Sequence, residues 1–137
     1  MFIKPDAVRK KAVGKIIAKV EDAGFAIRAM RMVHLTPEQA REFYREHAEK
    51  GFFADLIAFV TGGPVVALLL ERENAVETLR ELIGSTDSRK AAPGTIRAEF
   101  GTDNQQNAVH ASDSPASAQR EMAFFFSHLD TVASDAD

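Results

Sequence analysis

The sequence predicts an α+β fold, a ferredoxin-like antiparallel sheet of split βαβ type with helices packed on one face, built as a single domain. Three observations predict it. Stretches with apolar residues at helical spacing alternate with strand-like runs in the order strand, helix, strand, helical insertion, strand, helix, strand, helix. One long helix follows the first strand and another follows the third, as a split βαβ sheet requires. The 137 residues, 45% of them hydrophobic, suffice for one core, and neither an internal repeat nor a linker divides them.

The elements follow in order. Phe2 and Ile3 end a strand that Pro5 interrupts. From Lys10, the apolar residues Val13, Ile16, Ile17 and Val20 recur at helical spacing until Gly24 supplies a stop. Residues 25–35 alternate as a strand, with Phe25, Ile27, Ala29, Val33 and Leu35 on one side and Arg31 breaking that side. Thr36-Pro37-Glu38-Gln39 is a helix start, with a capping threonine, proline at the first helical position and Gln39 three residues after the cap. That helix carries Phe43 and Tyr44 and ends before Gly51, and a short helical stretch over 52–60 follows.

Thr61-Gly62-Gly63-Pro64 is a turn. Residues 65–70 are uniformly apolar, as expected of a strand buried on both faces. Asn74 caps a helix through Val76, Leu79, Leu82 and Ile83 that Gly84 closes. Residues 85–94 are predicted as loop, 95–100 as strand and 101–113 as polar loop. Ser114-Pro115 opens a last amphipathic helix through Ala118, Met122, Phe125 and Phe126, and the small, acidic tail from about 130 to 137 is expected to fray.

Composition narrows the function. A formal net charge of -3 argues against a nucleic-acid groove or an anionic-membrane surface as the main role. A polyanionic substrate must then be met by a few local cations. With no cysteine, disulfides and thiol catalysis are excluded. No signal peptide is visible and the longest apolar run is far too short to span a bilayer, so a cytoplasmic protein with no membrane partner is expected.

Of four histidines, His34 reads as a strand position, His47 as a helix-end charge and His128 as part of the tail. His110 lies between a polar loop and a helix start, where free backbone N–H groups meet anions. By spacing alone it is either a turn residue or a nucleophile. There is no Gly-x-x-x-x-Gly-Lys-Ser/Thr run and no Gly-x-Gly-x-x-Gly, so a nucleotide here would be held by side chains.

Lys4-Pro5-Asp6-Ala7-Val8 near the start and Asn107-Ala108-Val109-His110-Ala111-Ser112-Asp113-Ser114 near the end resemble the nucleoside diphosphate kinases. The resemblance extends over nearly the whole chain, through Gly62-Gly63-Pro64 and Pro93-Gly94-Thr95-Ile96-Arg97. It implies ping-pong transfer of a γ-phosphoryl group from a nucleoside triphosphate to a nucleoside diphosphate, with His110 as the nucleophile. Imidazole suits that task, being partly neutral near pH 7 and forming a labile phosphoramidate.

The resemblance also implies the remaining roles. Glu121 fixes the imidazole, and Ser112 links histidine, carboxylate and phosphate. Lys4, Arg80 and Arg97 are the cations of the phosphate chain. Tyr44 and Thr86 supply hydroxyl contacts, Asn107 a sugar contact and Phe52 a stacking ring for the base. Mg²⁺ arrives on the nucleotide, with Asp113 within reach through water. A homo-oligomer, a dimer-based tetramer or hexamer, is implied as well.

Each of these residues has an ordinary structural reading: Phe52 in the core, Tyr44 on a helix face, Arg80 paired with Glu77, Arg97 exposed on a strand, Thr86 in a turn. Only their joint match selects the functional one. Two rivals stand beside it, a nucleotide-binding regulator without turnover and a nucleic-acid module on the same kind of sheet. Four positions depart from the family pattern: the first strand is short, Ala111 stands where glycine is common, Asn104 where an apolar residue is common, and Ser88 where proline is common. Ala111 is tolerable unless its φ is positive.

Overall fold

The computed structural model describes residues 1–132. Among them, strands β1 (Phe2–Ile3), β2 (Ala26–Val33), β3 (Val65–Glu71) and β4 (Val109–His110) form one antiparallel sheet in the order β2-β3-β1-β4. This is the ferredoxin-like order that the alternation of elements predicted. Phe2 pairs with Ala67 on one side and His110 on the other, and Ile3 with Val66 and Val109. The helices are α1 (Pro5–Arg9), α2 (Val13–Asp22), α3 (Pro37–Phe43), α4 (Phe53–Val60), α5 (Ala75–Ile83), α6 (Ile96–Phe100) and α7 (Pro115–Phe125). None among the described residues is long and apolar enough to cross a membrane.

Helices cover both faces of the sheet, not one. Ile3, Val66, Leu68 and Val109 pack with Ile16 and Val20 of α2 and Leu79 and Ile83 of α5. On the opposite face, Phe2, Val65 and Ala67 pack with Ala40 and Phe43 of α3, Ile57 and Val60 of α4 and Phe125 of α7. The helical insertion between β2 and β3 and the C-terminal helix therefore build a second layer, and β3 is apolar on both sides because both sides are covered. Burying a side chain such as Phe2 or Phe43 contributes about 2–3 kcal/mol.

Local signals explain most boundaries. Thr36 Oγ1 accepts from the Gln39 N–H at 3.1 Å while Gln39 Oε1 accepts from the Thr36 N–H at 2.9 Å, the predicted reciprocal cap. Gly24, at φ 90°, ends the turn after α2. Pro5 does more than interrupt the first strand: it sits at the start of α1, where a missing N–H costs nothing.

Three expectations are corrected. Residues 95–100 are not a strand. Ile96, Ala98 and Phe100 mimic strand alternation, but Thr95 Oγ1 accepts from the Ala98 N–H at 3.3 Å and caps α6. Residues 101–113 are not all loop, because they contain β4, too short to show any period. Finally, a register shift between Ile27 and Ala29 marks a bulge in β2. Phe25 and Ile27 consequently pack on the α2 face, while Val33 and Leu35 pack on the α3 face. Most of the predicted frayed tail lies outside the described residues; within them, Ser127 caps a short 3-10 turn and the Val132 N–H donates to the Arg28 carbonyl at 2.8 Å.

Candidate active site

β4 places His110 beside β1, and its pairing with Phe2 turns the imidazole to the α3 and α7 face. The ring stacks on Phe2 with centroids 5.0 Å apart and meets the edges of Phe43 and Tyr44 at 5.2 Å and 5.8 Å. Facing it is Glu121 of α7, a helix opened by Ser114, whose hydroxyl accepts from the Ser117 N–H at 3.1 Å. His110 Nε2 lies 2.6 Å from Glu121 Oε1, and Ser112 Oγ donates to the same oxygen at 3.0 Å.

A carboxylate at Nε2 selects the tautomer protonated there and leaves Nδ1 with its lone pair. Burial pushes the His110 pKa below its ordinary value, outweighing the opposing pull of Glu121, so the ring is neutral near pH 7. Burial alone would raise the Glu121 carboxyl, but hydrogen bonds from His110 and Ser112 hold it below its usual range.

The three predicted cations converge from three elements. Lys4, extended after β1, donates from Nζ to Asn107 Oδ1 at 2.9 Å. Arg80, on the last turn of α5, reaches the Ala111 carbonyl at 3.3 Å. Arg97, on α6, donates to the Gly84 carbonyl at 3.2 Å and the Val109 carbonyl at 3.0 Å. It is buried on a helix, not exposed on a strand as its predicted element implied. Arg80 is not paired with Glu77, whose carboxylate accepts from Asn74.

Two adjoining cavities open around these groups. One, of about 350 Å³, is bordered by Arg80, Thr86, Arg97, His110 and Asp113. The other, of about 360 Å³, is bordered by Lys4, Phe52, Leu56, Asn104 and Asn107. Tyr44, His47, Thr86, Arg97 and His110 line both. Burial, then repulsion from Arg97, pushes Lys4 down to about 8; burial, then repulsion from Arg80, pushes Arg97 down to about 10. Cations desolvated and set against one another are the kind of group that a polyanion would relieve.

Tyr44 Oη and Arg97 Nε are buried with no hydrogen-bond partner among the described residues. Burial holds the Tyr44 phenol well above its ordinary range, so it remains a donor. Unmet donors at a cavity wall call for an acceptor from outside the chain.

Nearly all sequence-predicted residues meet here, with one displacement. Ser112 does not line the arginine-bordered cavity, and its hydroxyl donates to the Glu121 carboxylate. Asn107 is already engaged, accepting from Lys4 and donating to the carbonyls of Thr86 and Asn104 at 2.9 Å and 3.2 Å.

Sequence reasoning gave His47 only a helix-end role and did not weigh Arg120. The His47 ring sits 6.2 Å from Tyr44 and 5.9 Å from Phe52, between the two cavities. Its position one helical turn after Tyr44 was the available signal. Arg120, next to Glu121, pairs with Glu46 at 2.9 Å and borders the arginine-lined cavity.

The departures from the family pattern fit the backbone. Among the described non-glycine residues the positive φ falls at Lys11, Asn74 and Ala108, not at Ala111. Ser88 begins a short 3-10 turn, and its N–H donates to the Asp103 carbonyl at 3.3 Å, a bond proline could not make. Asn104 stands at the wall of the Phe52 cavity. No group of three or more His, Cys, Asp or Glu side chains among the described residues could hold a metal, and Asp113 Oδ1 already accepts from Ser117.

A family model described as nucleoside diphosphate kinase matches residues 1–131. The chain is 53% identical over 135 residues to a nucleoside diphosphate kinase of Aquifex aeolicus, covering 96% of this chain and 95% of the relative. An orthorhombic crystal structure of the Aquifex aeolicus enzyme superposes with a TM-score of 0.93 at 53% identity, covering 96% of this chain and 95% of that one. A halophilic nucleoside diphosphate kinase from Halobacterium salinarum in complex with CDP gives 0.94 at 38% identity, covering 98% and 90%. A nucleoside diphosphate kinase family protein from Babesia bovis gives 0.92 at 36% identity, again covering 98% and 90%.

Proposed function

The chain belongs to the nucleoside diphosphate kinase family, whose activity is phosphoryl transfer between nucleotides, and on that premise we propose that Nδ1 of His110 carries the group in transit. The observation behind this is the 2.6 Å contact between His110 Nε2 and Glu121, beside a cavity lined by Arg80 and Arg97. In the first half-reaction the Nδ1 lone pair attacks the γ-phosphorus of a nucleoside triphosphate. The N–P bond forms, the bond to the β–γ bridging oxygen breaks, and the diphosphate leaves with that electron pair. A second diphosphate enters and the steps reverse.

Arg80 and Arg97 offset charge that spreads over the transferring oxygens, and Tyr44 and Thr86 add hydroxyl donors. Lys4 and Asn107 serve the sugar and the phosphates from the second cavity, where Phe52 offers its face to the base. The Halobacterium salinarum relative is in complex with CDP, which supports a nucleotide as the ligand. Magnesium enters as part of the substrate. Of the carboxylates bordering the cavity, Glu46 pairs with Arg120 and Glu121 with His110, and among the described residues they form no metal-holding group with Asp113. That suits an ion held by phosphates and water better than a resident one.

The protein acts as a cytoplasmic homo-oligomer in this reading. Met30 and Met32, 60% and 59% exposed on the edge strand β2, supply an apolar edge for contact between copies. Incubation with Mg-ATP alone, followed by GDP, tests the chemistry by intact mass. Gain of one acid-labile phosphoryl group, absent in His110→Ala and discharged as GTP, is the expected result. Nucleotide binding with no gain in mass overturns it.

A further inference from the structure

Asp6 is among the most deeply buried charged residues described, at 2% exposure, and phosphoryl transfer makes no direct use of it. Its carboxylate is aimed at the backbone just ahead of the nucleophile. Oδ2 accepts from the Ala108 N–H at 3.1 Å. Ala108 has φ 73°, a left-handed conformation that a residue with a Cβ enters only uphill.

Two further bonds close on the same residue. The Lys4 N–H donates to the Ala108 carbonyl at 2.8 Å, and the Val109 N–H reaches back to the Asn107 carbonyl at 2.9 Å, closing a tight three-residue turn. From that turn Asn107 projects to Lys4 Nζ, and His110 stands two residues after Ala108. Released from its left-handed conformation, Ala108 would swing Asn107 off Lys4 and shift the start of β4.

We propose that Asp6 is a positioning residue for phosphoryl transfer, holding Ala108 in its strained turn so that Lys4, Asn107 and His110 stand in register for the nucleotide. This rests on His110 as the phosphoryl carrier. Asp6 touches neither substrate nor the reacting atoms; it acts through the Ala108 amide. The segment that supplies Lys4 to the nucleotide therefore also braces the strand that supplies the nucleophile.

The test compares the full-length wild type with Asp6→Ala, Asp6→Asn and the double variant Asp6→Ala/Ala108→Gly. Three quantities are followed: the single-turnover rate of His110 phosphorylation by Mg-ATP, the Tm, and the Ala108 amide resonance in ¹⁵N-labelled protein. A displacement of about 1 Å at the reacting groups predicts a rate loss of roughly 100-fold in Asp6→Ala. Asp6→Asn, which keeps an oxygen for the Ala108 N–H, restores most of the rate. Glycine adopts positive φ without strain, so the double variant regains about tenfold over Asp6→Ala although it lacks the carboxylate.

Asp6→Ala phosphorylated at the wild-type rate with an unmoved Ala108 resonance overturns the proposal. A slowed Asp6→Ala that neither asparagine nor the second-site glycine improves overturns it as well, leaving Asp6 a support of the fold. An unmodified wild-type chain in the same run removes the reading of His110, and the inference with it.

Discussion

His110 and Glu121 share a 2.6 Å contact from Nε2 to Oε1, made across the gap between the sheet and α7. That contact orients the ring and favours the tautomer protonated at Nε2, which on the proposed mechanism leaves Nδ1 as the nitrogen that attacks. Replacing Glu121 with alanine removes a charge-assisted hydrogen bond, leaving the ring to sample both tautomers. The loss is about 2 kcal/mol of transition-state stabilisation, or roughly 30-fold in the rate of His110 phosphorylation. Rapid-quench single turnovers with Mg-ATP measure it, and a rate unchanged by Glu121→Ala would separate the contact from the chemistry.

The pH profile follows from two depressed pKa values. His110 attacks only when neutral, and burial lowers its pKa, so the acid limb of kcat/KM lies below the ordinary imidazole range. On the proposed mechanism Lys4 contributes only when charged, and burial with Arg97 beside it lowers its pKa to about 8. The free enzyme therefore loses activity as pH rises through about 8. Bound phosphate stabilises the charged amine, so kcat at saturating nucleotide holds to higher pH than kcat/KM. Steady-state profiles of both parameters decide this; an alkaline limb at the ordinary lysine value would show that Lys4 is not the group titrating.

Much of the candidate site's layout was legible in the sequence because its residues sit in contiguous, chemically unusual runs. Lys4-Pro5-Asp6 and Asn107 to Ser114 each put several such groups within a few residues, and the structure sets the two runs side by side through the Lys4–Ala108 and Lys4–Asn107 bonds. The fold order was legible for a similar reason, since Thr36, Ser114 and Gly24 mark element ends by local chemistry. What escaped depends on contacts between distant residues. β4 has two residues and no period, so only its pairing with β1 defines it. The bulge at Ile27 to Ala29 reverses which face later residues of β2 occupy, a one-residue event that alternation alone hides. α6 follows its cap at Thr95, against the strand-like spacing of Ile96, Ala98 and Phe100.

Phe52 is 51% exposed at the rim of the second cavity, with His47 behind it at 5.9 Å. A ring that exposed adds little to the core, so Phe52→Ala leaves the Tm almost unchanged. Loss of a stacking face weakens binding by about 1–3 kcal/mol, and KM for the diphosphate rises roughly tenfold or more. Because a ring face discriminates poorly among bases, the rise is similar for purine and pyrimidine diphosphates. Isothermal titration with ADP and CDP reads it directly. A loss confined to one base would mean that edge contacts, such as those available from Asn104, dominate over stacking.

Arg80 and Arg97 border the same cavity, but the chain uses them differently. Arg97 is 6% exposed and bonds the carbonyls of Gly84 and Val109, tying the end of α5 to β4. Arg80 lies on the exposed side of α5 with one longer bond, to Ala111. On the proposed mechanism, removing either takes away a preorganised donor to the phosphates, worth on the order of 100-fold in turnover. Stability separates them. Arg97→Ala strands the buried Val109 carbonyl and the part-buried Gly84 carbonyl and lowers stability by about 2 kcal/mol, several degrees in Tm. Arg80→Ala stays within about 0.5 kcal/mol of the parent. Calorimetry alongside turnover distinguishes the roles, and equal losses of Tm in the two variants would show that Arg80 braces the fold as much as Arg97 does.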